Sequence, residues 1–146
     1  MELKMHIPQH DNNNQPIVDC NNEIVPLCYF NIIKLSAGEE FSYQLEEYET
    51  CIVPATGTID VEVQGQTFEK VGKRNHIWES DPEGAYIPVN SEARLICQSG
   101  EAEIFISGAK HNETYEAFVI RQKDIDKVQY GSDETKTHRK IKHILG

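Results

Sequence analysis

The sequence predicts an all-β domain, built as a sandwich or a barrel. Short runs rich in aromatic and β-branched residues alternate apolar with polar side chains, and turn residues interrupt them about every 8–12 positions. Apart from one turn near Asp124, no segment has the length or the period of about 3.6 residues that an amphipathic helix needs. The 146 residues suit a single domain, and the short, closely spaced strands argue against alternating βαβ units.

The first half of the chain is predicted to form four strands. Residues 26–35 are dense in aromatic and β-branched side chains, and apolar positions alternate with polar ones along residues 41–45. Two more alternating runs follow at residues 51–55 and 59–63, and the second is the most regular in the chain. Gly65, between two glutamines, can adopt a positive φ and predicts a hairpin turn after this run.

The second half is predicted to form a long loop followed by a strand pair. Residues 73–84 are the longest polar interruption, and they hold Trp78, which is expected to cap one end of the core. Apolar positions then alternate along residues 93–97 and 102–106. Ser99–Gly100 lies between these runs and is predicted to form the connecting turn.

The charge and hydropathy of the chain argue against nucleic-acid-binding, membrane-spanning and secreted proteins. The chain has 14 Lys and Arg against 24 Asp and Glu, a net charge of −10, which disfavours a nucleic-acid partner. Its one basic cluster, residues 136–143, is predicted to be a solvated strand end. No stretch approaches the ~20 apolar residues of a membrane span, so no membrane partner is expected. The polar N-terminus lacks the apolar core of a signal peptide, which predicts a cytoplasmic protein.

The four cysteines form no Cys-x-x-Cys pair, so a zinc knuckle is not predicted. Each lies in an apolar or alternating run, and a free cysteine in a cytosolic protein usually behaves as a small buried hydrophobe. We therefore expect no catalytic thiol among Cys20, Cys28, Cys51 and Cys97.

Two stretches resemble the motifs of cupins, whose fold is a double-stranded β-helix, also called a jelly-roll β-sandwich or barrel. Gly38 and Gly57 lie at suitable ends of a segment similar to the first motif, in which a Gly precedes His-x-His, a Glu and a second Gly. Pro88-Val89-Asn90 stands where the second motif has Pro-x-Gly. Asn is the residue that best replaces Gly in a left-handed turn, so this difference is physically mild.

Three longer blocks resemble the 5-deoxy-glucuronate isomerase family, the bicupins of myo-inositol catabolism. They are GEEFSYQLEEYETCIVPATGTIDV, GKRNHIWESDPEGAYIPVNSEARL and GSDETKTHRKIKHILG. The resemblance runs from about residue 29 to residue 146 and is to the N-terminal cupin half of the family. On this basis we expect an N-terminal arm over residues 1–25, a cupin β-sandwich over 26–130 and a C-terminal strand or linker over 131–146.

The resemblance implies an aldose–ketose isomerisation of a deoxy-uronate through an enediol. A divalent metal would polarise the carbonyl while acid–base groups move the proton. The resemblance also implies that this metal belongs to the second cupin, whose ligands are not in this sequence. We therefore expect no cofactor, no catalytic residue and no metal in this chain.

Counting from Gly38, Gly57 and Pro88 locates the cupin ligand positions of this half. In the first motif, Gln44 and Glu46 stand at the two His positions, and Thr50 stands at the Glu position, or Glu49 if the turn is one residue shorter. In the second motif, Ala93 stands at the His position and Cys97 at the Asn position. We call these the degenerate positions. All three imidazoles are missing, and carboxylates alone make a poor transition-metal site. The alternation also places Gln44 and Glu46 on the outer face, opposite the apolar side chains of residues 41–45.

The six histidines show no i, i+2 spacing that would place two rings on one strand face. They are His6 and His10 in the arm, His76 in the long loop, His111 after a loop signal at residues 108–110, and His138 and His143 in the terminal block. Each is expected to lie at the surface or to support a site without binding a ligand itself. The sequence does not exclude that several of them come together in the folded protein.

Three hypotheses remain. The chain is an architectural half of an isomerase, a stand-alone cupin that binds a small sugar acid, or a module that forms a homodimer through a sheet face. A sugar acid would require a counter-charge from Arg94, Arg121 or Arg139.

Overall fold

The computed structural model describes residues 11–145; residues 1–10, with His6 and His10, and residue 146 lie outside the described part. The strands are β1 (Cys28–Ser36), β2 (Glu40–Gln44), β3 (Tyr48–Val63), β4 (Gln66–Arg74), β5 (Gly84–Ile87), β6 (Glu92–Ile96), β7 (Glu101–Lys110), β8 (Phe118–Ile120), β9 (Asp126–Tyr130) and β10 (Arg139–His143). The turn predicted near Asp124 is a short 3-10 helix, Gln122–Asp124, and residues 11–145 contain no α-helix.

The strands form two antiparallel layers that share the long strand β3. Its first part pairs with β7 and β5 in a layer ordered β1-β7-β3-β5-β8. Its second part pairs with β4 and β6, and β6 also pairs with β2. One core cluster holds side chains of both layers, among them Ile33, Ile52, Ile104, Val71 and Leu95. This arrangement confirms the predicted all-β sandwich.

The strands predicted separately at residues 51–55 and 59–63 are one strand, β3. A register irregularity between Pro54 and Thr56 reverses the side-chain alternation, so Ile52 is buried before it and Ile59 after it. Gly57 follows with a φ of +81°, and a Cβ there would lie 2.3 Å from the Glu101 carbonyl oxygen. The bend therefore requires glycine, both for its backbone conformation and for the close approach of β7.

The hairpin turn predicted at Gly65 is confirmed. Gln64 and Gly65 have φ values of +50° and +73° and connect β3 to β4. Two successive positive φ angles are typical of a type I′ turn, whose twist suits a two-residue hairpin. The predicted Ser99–Gly100 turn is also present, between β6 and β7.

Asparagine side chains attach the segment before β1 to that strand. The Asn14 Oδ1 accepts from the Lys34 amide at 2.8 Å, and the Asn14 Nδ2 donates to the Lys34 carbonyl at 3.2 Å. Asn12 donates to the Ile32 carbonyl at 3.0 Å and to the fully buried Asn31 side chain at 2.9 Å. These side-chain amides pair with β1 as a neighbouring strand would, and they cover its edge.

The terminal hairpin β9–β10 is a separate two-stranded sheet. Asp81 anchors it to the long loop, because its carboxylate pairs with Lys127 at 2.5 Å and Lys142 at 2.9 Å. Residues 136–142 are exposed, as predicted for a solvated strand end. No helix among residues 11–145 is long and apolar enough to cross a membrane.

Three local predictions from the sequence are wrong. Trp78 does not cap the core, because its loop points outward and leaves the side chain 87% exposed. The loop signal at residues 108–110 is overridden by pairing with β1 and β3, and these residues belong to β7. Of the four cysteines, Cys97 alone is fully buried; Cys28 is exposed, since it lies on the outer side of β1, and Cys20 and Cys51 are half-buried.

Candidate functional site

The interior ends of β2 and β3 bring two hydroxyl groups together. The Tyr43 hydroxyl lies 2.6 Å from the Thr50 Oγ1, within hydrogen-bond distance. Tyr43 is directly opposite Ala93 in the β2–β6 pair, and Ala93 is fully buried. Two of the predicted ligand positions, Thr50 and Ala93, therefore face the interior beside a tyrosine that the motif count did not select.

These interior side chains do not fit a divalent metal. First-row divalent cations prefer imidazole nitrogen and carboxylate oxygen, and leave open positions for substrate. Here the donors are two hydroxyls that already bond to each other, beside the methyl group of Ala93. Burial raises the pKa of Tyr43 far above its ordinary value and outweighs the opposing hydrogen bond with Thr50, so the phenol is a neutral group and not a phenolate ligand.

Two further predicted positions lie outside. Gln44 and Glu46 are exposed, as the alternation predicted, while the side chains of Phe41 and Tyr43 pack against the core. The Gln44 Nε2 donates to the Asn90 carbonyl at 2.7 Å. The five degenerate positions therefore do not converge: Thr50, Ala93 and Cys97 face the core, and the other two lie on the surface beside Asn90.

Asn90 joins the two motif regions. Its φ of +58° confirms the left-handed conformation expected where the cupin motif has glycine. Its Oδ1 accepts from the Glu47 amide at 3.1 Å, and its own amide donates to the Leu45 carbonyl at 3.0 Å. Asn90 thus holds the turn after β2 against the turn before β6.

Glu49, the alternative ligand position, lies on the opposite side of β3 from Thr50. It accepts a hydrogen bond from the Tyr86 hydroxyl at 2.6 Å. Burial, followed by the hydrogen bond to Glu49, raises the pKa of Tyr86 above its ordinary value. The Tyr86 ring stacks on Phe118 with centroids 5.0 Å apart. Sequence reasoning missed this pair, because 37 residues separate its members.

A buried carboxylate also escaped sequence reasoning. Glu83 is 1% exposed and pairs with Arg121 at 3.0 Å and Lys73 at 3.2 Å. The Gly72 amide donates to it at 3.2 Å. Burial opposes the ionisation of Glu83, but these donors outweigh it, and its pKa lies below the ordinary value. Its oxygens are fully engaged within the protein, which indicates a structural role.

The arginines considered for a sugar acid are mostly neutralised. Arg94 bonds to Glu40 and, at 2.9 Å, to Glu62. Arg121 bonds to Glu83, and its guanidinium also donates to two backbone carbonyls of β4 at 2.8 and 2.9 Å. Arg139 is exposed on the terminal hairpin. Two of the three predicted counter-charges are therefore already compensated by acidic side chains of the protein.

The described histidines are dispersed. His76 is exposed in the long loop, and His138 pairs with Asp133 at 2.9 Å on the surface. His111 and His143 are half-buried, and each has a buried Nε2 with no hydrogen-bond partner among residues 11–145. Within the same residues, no three His, Cys, Asp or Glu side chains come together as a metal-binding group.

Cys51 lies on the outer side of β3, between Ser107 of β7 and Tyr86 of β5. Burial raises the pKa of its thiol to about 12, so the thiol is protonated at neutral pH. A protonated thiol is a weak nucleophile.

Comparison with known proteins identifies relatives. A model of the KduI/IolB family matches residues 4–146. The 5-deoxy-glucuronate isomerase of Bacillus subtilis (strain 168) is 25% identical over 107 residues, covering 73% of this chain and 40% of the relative. That of Listeria monocytogenes serotype 4a (strain HCC23) is 26% identical over 132 residues, covering 88% and 48%. The chain spans less than half the length of each of these relatives.

Solved structures share the fold. An IolB-like protein from Salmonella typhimurium superposes with a TM-score of 0.79 at 21% identity, covering 90% of this chain and 49% of that protein. The protein Ylba from E. coli superposes with a TM-score of 0.56 at 13% identity, covering 76% and 45%. At these identities the likeness is one of fold, and it agrees with the predicted all-β, cupin-type sandwich.

Proposed function

The chain belongs to the KduI/IolB family, and we propose that it is the architectural cupin half of a 5-deoxy-glucuronate isomerase. In this proposal the chain corresponds to the N-terminal half and binds no catalytic metal. The metal of the longer relatives would lie in the part that this chain does not match. Isomerisation of the deoxy-uronate in inositol catabolism would then require that second part.

The observation that carries this proposal is the hydroxyl pair of Tyr43 and Thr50. An aldose–ketose isomerase must polarise a carbonyl and move a proton between neighbouring carbons. At the interior ends of β2 and β3 the chain offers a neutral phenol, a threonine hydroxyl and a methyl group. The two hydroxyls share one hydrogen bond and both are neutral, so neither is poised to act as a base.

The buried acid supports the same proposal. A catalytic carboxylate commonly has a raised pKa, so that it can exchange a proton near neutral pH. Glu83 has the opposite shift and is held by Arg121, Lys73 and backbone amides. It stabilises the join between β4, β5 and the segment after β8, and so contributes architecture.

An activity assay tests this proposal. The purified chain is incubated with 5-deoxy-glucuronate, with and without Mn²⁺ or Zn²⁺, and the ketose product is followed by NMR. The full-length Bacillus subtilis relative serves as the positive control. We expect no turnover by the chain under any condition. Metal-dependent turnover that the chain itself sustains would contradict the proposal.

A chimera tests the architectural role directly. The region of the Bacillus subtilis isomerase that matches this chain is replaced by the chain's own residues, so that the rest of the relative is unchanged. If the chain provides architecture, a folded chimera keeps isomerase activity within about tenfold of its parent. A folded chimera without activity would show that the relative's matched region contributes chemistry that this chain lacks.

A further inference from the structure

A loop before β1 is tied at both ends to one buried hydroxyl group. The Asn21 amide donates to the Tyr48 hydroxyl at 2.8 Å, and the same hydroxyl donates to the Pro26 carbonyl at 2.6 Å. Tyr48 is the first residue of β3 and is 2% exposed. We call residues 20–27 the strap. Because one oxygen holds both ends of the strap, the loss of its two hydrogen bonds releases both ends together.

A lysine at the end of β7 also holds the strap. The Lys110 amide donates to the Leu27 carbonyl at 2.9 Å, and the Lys110 ammonium group donates to the Asn21 Oδ1 at 3.2 Å. The same ammonium group pairs with Glu47 at 3.1 Å and lies 5.8 Å from the centre of the Tyr48 ring. The strap is therefore attached where β7 ends and β3 begins, next to the turn after β2.

Bonds inside the loop keep the shape of the strap. The Asn22 Oδ1 accepts from the amides of Ile24 and Val25, at 2.9 and 3.2 Å. The Cys28 amide donates to the Val25 carbonyl at 3.1 Å. These bonds lie within the segment, so they can persist while the contacts to β3 and β7 are broken. The strap can therefore move as one body.

Little apolar burial holds the strap closed. The side chains of Ile24, Val25 and Leu27 are 61%, 40% and 64% exposed. Cys20 packs against the core cluster but is itself half-buried. The strap thus depends mainly on hydrogen bonds, which water can replace when the strap opens. A segment with few buried apolar contacts opens at a lower free energy than the core does.

We propose that the strap is a conformational device that opens as one unit, with the Tyr48 hydroxyl as its latch. Opening breaks the contacts to Tyr48 and Lys110 together, while β3 and β7 stay paired. It exposes the Tyr48 side chain at the interior end of β3, two residues before Thr50 on the same side of the strand. This device does not depend on the proposed metal-free role, and either proposal can fail alone.

Native-state hydrogen exchange, measured by NMR in urea concentrations below the unfolding transition, tests the proposal. The Asn21 and Lys110 amides report the two ends of the strap, because each donates to a different contact that opening breaks. Amides at the centre of β3 and β7 report global unfolding. We expect the two strap amides to share one opening free energy, lower than that of the central strands and less dependent on urea.

Two variants test whether the strap opens as one unit, each observed at the end that it does not touch. Tyr48→Phe should accelerate exchange of the Lys110 amide by about 5- to 30-fold, although that amide bonds to Leu27. Lys110→Met keeps the backbone amide and should accelerate exchange of the Asn21 amide, which bonds to Tyr48.

Tyr43→Phe is the matched control. Its hydroxyl bonds to Thr50 and not to the strap, so its loss should lower global stability and leave the opening of the strap unchanged. Circular dichroism checks that each variant folds. If Tyr48→Phe does not fold, Lys110→Met still tests the proposal.

Three results would overturn the proposal. The first is exchange of the Asn21 and Lys110 amides through global unfolding alone, with the free energy of the central strands. The second is a different opening free energy at each of the two amides, which would mean that the ends of the strap open separately. The third is a variant that folds but accelerates exchange solely at the contact it removes.

Discussion

The Tyr43 hydroxyl lies 2.6 Å from the Thr50 Oγ1, and together they occupy the interior ends of β2 and β3. Thr50 is 3% exposed, so the pair is shielded from water on the threonine side. Buried hydroxyls need a partner, and each of these two supplies it to the other. The interior is thus stabilised by a hydrogen-bonded pair of hydroxyls, and one of them, Thr50, is a position predicted from the cupin motif.

Replacing Tyr43 with Phe should destabilise the fold by about 1–2 kcal/mol, because the Thr50 hydroxyl loses its partner inside the protein. Urea unfolding measures the change, with the exposed Tyr130→Phe as the matched control expected to stay within about 0.5 kcal/mol. The double variant Tyr43→Phe, Thr50→Val removes both polar groups and should recover part of the loss. Equal stability of Tyr43→Phe and the parent would refute the role given to this pair.

Position 57 should accept only glycine. Gly57→Ala places a Cβ against the Glu101 carbonyl, whereas Gly65→Ala has a similar positive φ, +73° against +81°, but meets no atom within 4 Å. We expect a cost of about 1 kcal/mol for Gly65→Ala from backbone conformation and at least about 3 kcal/mol for Gly57→Ala. Thermal unfolding of both variants compares them, and similar melting temperatures would contradict the packing argument.

Removing the Glu83 carboxylate should lower the free energy of unfolding more than most single substitutions would. Glu83→Ala leaves Arg121 without its buried partner, and breaking a buried ion pair costs about 3–5 kcal/mol. The exposed Glu101→Ala serves as the control and should change the unfolding free energy little. A Glu83→Ala variant as stable as that control would rule out a structural role for the carboxylate.

The same carboxylate predicts a pH dependence. Its folded pKa lies below the ordinary value of 4.5, because donors from Arg121 and Lys73 outweigh burial. Its contribution to stability is therefore complete above about pH 4.5 and is lost as the pH falls through the lowered folded value. We expect unfolding free energies measured from pH 7 to pH 3 to fall less steeply for Glu83→Gln than for the parent. Parallel curves would contradict this assignment.

Asp81 should control the order of the terminal hairpin. Hydrogen bonds from Lys127 and then Lys142 lower the pKa of its carboxyl, which stays ionised at neutral pH. Asp81→Asn removes the charge that both lysines share, and an isolated hairpin is only marginally stable. Hydrogen–deuterium exchange should then accelerate in β9 and β10 while β3 and β7 stay protected. Unchanged exchange in the hairpin would show that other contacts hold it.

Local signals in the sequence predicted local features well. The turn at Gly65 and the left-handed Asn90 follow from the conformations that those residues tolerate, and both are present. The outward orientation of Gln44 follows from the alternation along β2. In each case the cause lies within a few residues of the effect.

Features that depend on distant partners could not be predicted in this way. The Glu83–Arg121 pair spans 38 residues, and the burial of Glu83 depends on how β5 meets β8. The continuity of β3 through its bend depends on the approach of β7 at Gly57, not on its own alternation. The exposure of Trp78 reflects where Glu79 and Asp81 hold its loop, while composition alone favoured a place at the core.

The central claim is that this chain has no divalent metal site, and metal stoichiometry tests it most directly. The untagged chain is incubated with Mn²⁺, Fe²⁺ or Zn²⁺, exchanged into metal-free buffer and measured by elemental mass spectrometry. The hydroxyl pair of Tyr43 and Thr50 predicts close to zero ions per chain for each metal. A value near one ion per chain would contradict the account, since it would require ligands that converge elsewhere in the fold.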